Sequence, residues 1–167
     1  MKLDTLPIGS PVFIDANIFV YHFAGASRSC HGFLSRCSGG GLRGVTSLPV
    51  LLEVAHRLMA IEAQQKRLVR GGNPGRQLAE SPGLVKKLHL YEEWTLAIPR
   101  MGIEVEEVSF VDLLASMGVR QKTGLLTLDA LIVAVMKRLE ISNLASADRG
   151  FERAEGIKLF SPGDIHE

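Results

Sequence analysis

Short apolar runs alternate with longer helical patterns along most of the chain, and this alternation limits the folds open to it. The first run, at 12–14, is continuous and β-prone and ends at Asp15, as expected for a strand buried on both faces. Predicted strands lie at 12–14, 41–47, 103–108, 143–147 and 157–160, and predicted helices at 17–23, 29–38, from 48 onward, 84–98, 110–117 and 126–139. Strands separated by helices predict an α/β fold with a mostly parallel sheet.

Length and composition favour one ordinary globular domain over 1–167. The chain has 167 residues, 46% hydrophobic and 22% charged, and a formal net charge of +1. Because the chain is not a polycation, any nucleic-acid binding must come from a local basic patch. Two cysteines are too few for a disulfide framework, which favours a reducing, cytoplasmic setting. The longest apolar run, 130–136, is too short to span a bilayer, so we expect no membrane association.

A basic segment rich in glycine and proline interrupts the pattern at 63–87. It has a single acid, Glu80, among its cations. We expect it to leave the core as a mobile insertion and to contact a nucleic-acid backbone. Its candidate contacts are Lys66, Arg67, Arg70, Arg76, Lys86 and Lys87.

Four acids stand out by their position. Asp15 and Asp148 each follow a predicted strand, and Asp129 lies in the first turn of a predicted helix. Ligands of open α/β sheets bind beyond the carboxyl ends of the strands, where the following helices begin, so these three acids are expected to converge. Glu53 lies on a helix so apolar that its carboxylate needs a cleft, a partner or a cation.

Each acid also has a plain structural explanation. Asp15 can cap the helix that follows it, and Asp129 can interact with the dipole of its own helix. Asp148 can serve as a turn residue beside Gly150. Glu53 can form an ion pair one helical turn away, with Arg57.

Four carboxylates at one edge would repel one another, and a divalent cation relieves that repulsion. Mg²⁺ prefers oxygen ligands and often shares its shell with phosphate. Such an ion can activate a water and stabilise charge on a phosphodiester. An acidic metal centre near a basic segment therefore suggests an enzyme that cuts nucleic acid.

The same residues resemble the motifs of a known family. The stretch 12–17 looks like the opening strand of a PIN domain with its Asp-x-Asn signature, and 47–54 looks like the family's Glu-bearing helix. The stretch 128–134 is similar to its Asp-Ala-Leu-Ile-Ala helix start, and 144–151 resembles its late strand and Asp turn. Four motifs in the family's order are a fairly specific signal.

The resemblance implies a three-layer α/β/α PIN-like fold and a ribonuclease dependent on Mg²⁺ or Mn²⁺. It implies that Asp15, Glu53, Asp129 and Asp148 form both the metal-binding and the catalytic set. Asn17 would orient Asp15 or a water, and Ser47 or Thr46 would lie near the pocket. Small members of the family are commonly VapC-type toxins that have an antitoxin partner, so RNA, an antitoxin and a second copy of the chain are the expected partners.

Two departures from the family pattern keep a second hypothesis open. Many members have an acid where this chain has Gly150, and Glu152 is a doubtful substitute because it follows the Phe of the motif. The stretch between Glu53 and Asp129 is also long. The alternative is a PIN-fold interaction or RNA-binding module with weak catalysis. In either case Arg149, beside Asp148, is a further candidate phosphate contact.

Overall fold

The computed structural model describes residues 1–165. These residues form five strands and eight α-helices. The strands are β1 (Pro11–Ile14), β2 (Arg43–Ser47), β3 (Glu104–Glu106), β4 (Asn143–Ala145) and β5 (Lys158–Phe160). The helices are α1 (Ala16–Phe23), α2 (Arg28–Ser38), α3 (Leu48–Gln65), α4 (Pro74–Glu80), α5 (Pro82–Val85), α6 (Leu90–Arg100), α7 (Phe110–Thr123) and α8 (Thr127–Arg138). Two short 3₁₀ turns lie at Leu3–Thr5 and Arg149–Arg153.

The strands form one parallel sheet in the order β3-β2-β1-β4-β5. Central β1 pairs Phe13 with Val45 on one side and with Leu144 on the other. The right-handed crossover rule puts α1 to α6 on one face and α7 and α8 on the other, because the chain adds β2 and β3 on one side of β1 and then β4 and β5 on the other. The packing agrees, since α3 contacts α1 and α6, and α7 contacts α8. The predicted α/β class and three-layer arrangement are confirmed. The change of side leaves a switch point between β1 and β4 at the carboxyl edge of the sheet.

Helices cover both faces of the central strands. Val12, Phe13 and Ile14 have no exposed surface, and neither does Leu144 on the neighbouring strand. A strand buried on both sides needs apolar residues at consecutive positions, which is why these strands read as continuous apolar runs. None of the helices formed by residues 1–165 is long and apolar enough to cross a bilayer.

Several element boundaries differ from the sequence-based expectation. The helix expected to end near 117 continues to Thr123, where Gly124 ends it at a left-handed φ of 70°. The strand expected over 103–108 is only three residues of β3 at the sheet edge. The helix expected over 126–139 begins at Thr127, so Leu126 occupies the N-cap position and the Thr127 hydroxyl does not cap it.

The 63–87 segment is folded more than expected. Its first residues belong to α3, and α4 and α5 form half of the rest. A second apolar cluster fixes the segment on α3, and its buried members are Ala63, Val69, Leu78 and Leu88. The isolated leucines and valines of this stretch are too far apart in sequence to give a helical period, yet they meet in space.

A buried carboxylate joins this segment to the next helix. Glu62 is fully buried and lies 2.6 Å from the Lys66 ammonium. It accepts hydrogen bonds from the backbone N–H groups of His89 (3.1 Å) and Tyr91 (3.0 Å) at the start of α6. Burial alone would raise the pKa of Glu62, but Lys66 and these amides outweigh it and lower the pKa to about 2. This cap separates α5 from α6 within the helix expected over 84–98.

Candidate active site

The four acids lie around the carboxyl edge of the sheet, at the switch point. Asp15 directly follows β1, and Asp148 lies three residues beyond β4. Asp129 is in the first turn of α8, and Glu53 is in the second turn of α3, which begins directly after β2. The sheet topology thus brings to one edge four residues that are far apart in sequence.

Asp15 is buried, with 6% of its surface exposed, and every contact holds it in one orientation. Its Oδ1 accepts from the backbone N–H of Ala16 at 2.7 Å, so the predicted helix cap is present. Its Oδ2 accepts from the Asn17 amide and from the Ser146 hydroxyl at 2.7 Å. A carboxylate fixed in this way presents its remaining lone pairs in a defined direction.

Burial raises the pKa of Asp15 to about 6. The hydrogen bonds from Ser146 and Ala16 lower it, and the negative charges of Glu53 and Asp129 raise it. The pKa of Asp129 is also raised, first by burial and then by the charges of Asp148 and Glu53. The four acids therefore lie close enough to affect one another electrostatically.

Ser146 was not recognised from the sequence, yet it joins three parts of the site. It has no exposed surface, and its Oγ accepts from the Asn17 amide and from the backbone N–H of Asp148, both at 3.0 Å. Asn17 also accepts from the N–H of Ala147 at 2.9 Å. A buried hydroxyl two residues before an acid, at the end of an apolar strand, is the signal that could have identified Ser146.

The other predicted supporting residues have different surroundings. Ser47 is buried at the N-cap position of α3, but its hydroxyl makes no capping hydrogen bond. Thr46 is buried and donates to the carbonyl of Ile14 at 2.9 Å, which ties β2 to β1. Thr46 thus has a structural role between strands.

Glu53 and Asp148 have local partners as well as a place at the edge. Glu53 Oε1 lies 3.4 Å from an Arg57 guanidinium nitrogen, which is the expected ion pair one turn away. Asp148 is exposed, and its Oδ1 accepts from the N–H of Gly150 at 2.6 Å in the expected turn. A Cβ added at Gly150 would lie only 2.9 Å from the same oxygen. A side chain at position 150 would therefore displace the Asp148 carboxylate from this hydrogen bond.

Among residues 1–165, no three Asp, Glu, His or Cys side chains lie close enough together to hold a metal ion. In this structure Glu53 contacts Arg57, and Asp148 accepts from the backbone of Gly150. The chemistry of the four acids nevertheless fits a hard divalent cation, since all are oxygen donors. Two of them, Asp15 and Asp129, have pKa values raised first by burial and then by neighbouring negative charge.

A pocket of about 600 Å³ opens beside Asp148. Its lining includes Asn17, Tyr21, Arg57, Asp148 and Arg149. Glu152 lines it too and lies 3.5 Å from the Arg149 guanidinium. The pocket thus places two arginines and an acidic edge around one opening.

The cations of the 63–87 segment lie elsewhere. Within the described part of the chain, none of the six candidate phosphate contacts of this segment lines the pocket. Lys66 is held by Glu62, and Arg76 pairs with Glu80 at 2.9 Å. Of the seven predicted phosphate contacts, Arg149 alone borders the pocket within residues 1–165.

Known proteins provide an independent comparison. The sequence profile of the PIN domain matches residues 12–157. The chain is 31% identical over 151 residues to a protein named VapC ribonuclease Mb1869c from Mycobacterium bovis and to Ribonuclease VapC13 from Mycobacterium tuberculosis. These alignments cover 88% of this chain and 97% of either relative. The chain therefore belongs to the PIN-domain family, in its VapC-type group.

Solved structures agree on the fold. The crystal structure of VapBC2 from Rickettsia felis bound to a DNA fragment from their promoter matches with a TM-score of 0.60 at 15% identity, over 91% of this chain and 98% of that one. PAE2754 from Pyrobaculum aerophilum matches with a TM-score of 0.50 at 17% identity, over 90% and 89%.

Proposed function

We propose that this protein is a divalent-metal-dependent endoribonuclease and the toxin of a toxin–antitoxin pair. The observation that carries the proposal is the fixed, buried Asp15 among three further acids. Burial raises its pKa to about 6, although the hydrogen bonds from Ser146 and Ala16 lower it. Relatives over most of the chain are named as VapC ribonucleases, which supports RNA as the substrate. RNA cleavage would place the activity in the cytoplasm.

The residues have distinct roles in this proposal. Asp15, Glu53, Asp129 and Asp148 would hold Mg²⁺ or Mn²⁺. When bound, the ion supplies positive charge beside the phosphodiester and lowers the pKa of a water. Asn17 and Ser146 fix the carboxylate of Asp15. Ser47, the last residue of β2, is buried at the N-cap position of α3. The pocket beside Asp148 would receive the RNA backbone.

The test is cleavage of an end-labelled mixed RNA pool with Mg²⁺, Mn²⁺ or EDTA. We expect cleavage with metal, none with EDTA, and none with Asp15→Asn. Asp4→Asn, an exposed acid outside the site, is the matched control and should cleave like the native protein. Cleavage that persists with Asp15→Asn would refute the assigned site.

A second candidate function is an interaction module with weak catalysis. The observation that favours it is the lack of three metal-ligating side chains in contact distance among residues 1–165. The two functions differ in metal binding, because a ligand that binds only the folded state raises the melting temperature. A rise with millimolar Mn²⁺ that is lost with Asp15→Asn favours the nuclease, and no rise favours the module.

The proposed partners are an antitoxin and a second copy of the chain. One face of α7 carries exposed apolar side chains at Phe110, Val111, Leu114 and Met117. Such a strip is unusual on an isolated monomer and supports a protein partner. Light scattering after gel filtration, with the chain alone and with the product of the adjacent gene, would test both. Phe110→Ser should weaken whichever assembly covers this strip.

A further inference from the structure

Arg57 contacts one of the four acids and also lines the open pocket. It extends from α3 one turn after Glu53, and it lines the pocket with Asn17, Asp148 and Arg149. Its side chain is 38% exposed. One guanidinium can therefore reach an acid of the site and a ligand in the pocket.

The contact between Arg57 and Glu53 is loose. A single nitrogen–oxygen pair at 3.4 Å joins them, unlike the two-point contact of Arg43 with Glu104 at 2.6 and 2.9 Å. Partly exposed pairs of this kind contribute little net free energy. Of the ion pairs formed within residues 1–165, the Arg57–Glu53 pair is nevertheless the only one that contains one of the four acids.

We propose that Arg57 exchanges partners during the reaction. It pairs with Glu53 in the metal-free protein, and it contacts an RNA phosphate when Glu53 binds a divalent cation instead. This inference rests on the proposed nuclease function and adds a substrate-contact residue to it. A guanidinium suits the second role because its planar array of N–H donors matches the oxygens of a phosphate. Arg149, on the same pocket, would contact the backbone alongside it.

Partner exchange gives effects of opposite sign. Without Arg57, Glu53 has no competing cation, so the metal should bind more tightly. At the same time the RNA loses a phosphate contact, so it should bind more weakly in the presence of metal. A residue that only supports the structure would weaken both or change neither.

Arg57→Gln tests the exchange in three measurements, with Arg57→Lys and Arg120→Gln beside it. Arg120 is an exposed cation on α7 and serves as the matched control. Mn²⁺ titration without RNA should give about threefold tighter binding by Arg57→Gln, because a weak competing pair is removed. Steady-state cleavage of the RNA pool with Mn²⁺ should give a KM about tenfold higher with a smaller change in kcat.

The third measurement is anisotropy of a fluorescein-labelled 20-mer RNA pool in EDTA. In EDTA, Arg57 is paired with Glu53, so Arg57→Gln should change the affinity for RNA less than it changes KM with Mn²⁺. Arg57→Lys keeps the charge and should recover part of the KM loss, while Arg120→Gln should match the native protein throughout.

Two outcomes overturn the exchange. One is an unchanged Mn²⁺ affinity and KM in Arg57→Gln, and the other is a parallel weakening of both. Failure of the nuclease proposal looks different, because the native protein itself would then neither cleave RNA nor bind Mn²⁺.

Discussion

Ser146→Ala tests how the site is held together. The substitution removes the hydroxyl that donates to Asp15 at 2.7 Å and accepts from Asn17 and from the backbone of Asp148 at 3.0 Å. A hydrogen bond to a charged group is worth about 1.5–3 kcal/mol, and a buried donor left without an acceptor adds to the loss. We expect the free energy of unfolding to fall by about 2–3 kcal/mol.

For a chain of this length that loss corresponds to a melting temperature lower by roughly 4–12 °C. The assay is urea unfolding in EDTA at pH 7.5, followed by tryptophan fluorescence. Ser35→Ala is the matched control, since Ser35 is exposed and donates only to the carbonyl of His31. It should lose no more than about 0.5 kcal/mol.

The same substitution should change the titration of Asp15. The Ser146 hydroxyl lowers the pKa of Asp15, so its removal should raise that pKa further above about 6. Carbon-detected NMR of the Asp15 carboxyl group measures this directly in EDTA. An unchanged pKa, together with a stability loss no greater than that of Ser35→Ala, would refute the role assigned to Ser146.

Further predictions concern pH, the inserted helices, the Asp148 turn and metal. Because the pKa of Asp15 is raised in the folded state, its protonated form contributes to the stability of the metal-free protein below pH 4, and this contribution should be lost as pH rises through about 6. Urea titrations in EDTA at pH 4, 5, 6 and 7 should show the loss of stability. Asp15→Asn should abolish this pH dependence. Glu62→Ala should destabilise the protein by about 3 kcal/mol and expose the amides of 63–91 to hydrogen exchange. Lys66→Ala should have both effects too, because it leaves the buried carboxylate of Glu62 without its cation. If only global stability falls, the segment is not an independent unit. Gly150→Ala should displace the Asp148 side chain and alter Mn²⁺ affinity at least twofold, and equal affinity by calorimetry would show that this turn does not restrain Asp148.

The sequence predicted the sheet well because its central strands are buried on both faces. The run at 12–14 is apolar at consecutive positions, and Leu144 and Ala145 of β4 are also fully buried, as strands covered on both faces require. The parallel arrangement then brought the ends of those strands to one edge, so the meeting of Asp15 and Asp148 could be expected. The inserted helices could not, because Gly71, Gly72 and Pro74 break the helical period while the apolar cluster is completed only in three dimensions.

Details of the site depended on local partners that sequence spacing cannot rank. Asp148 had both a turn role and a metal role, and in the structure it makes the turn bond to Gly150 while still lying at the edge. Glu53 likewise has its ion pair with Arg57 as well as its place among the acids. The role of Ser146 was not predicted, because a serine between two alanines at the end of a strand does not by itself indicate that its hydroxyl will be buried beside an acid.

The bonds across the switch point also bear on when the site can exist during protein synthesis. Asp15 is held by Ser146, 131 residues later in the chain, and Asn17 is held by Ala147, 130 residues later. Contacts of such long range form only after the intervening chain has been made and folded. A ribosome-bound chain that has not yet released β4 therefore has an unanchored Asp15, so the proposed site cannot be complete until synthesis has passed β4.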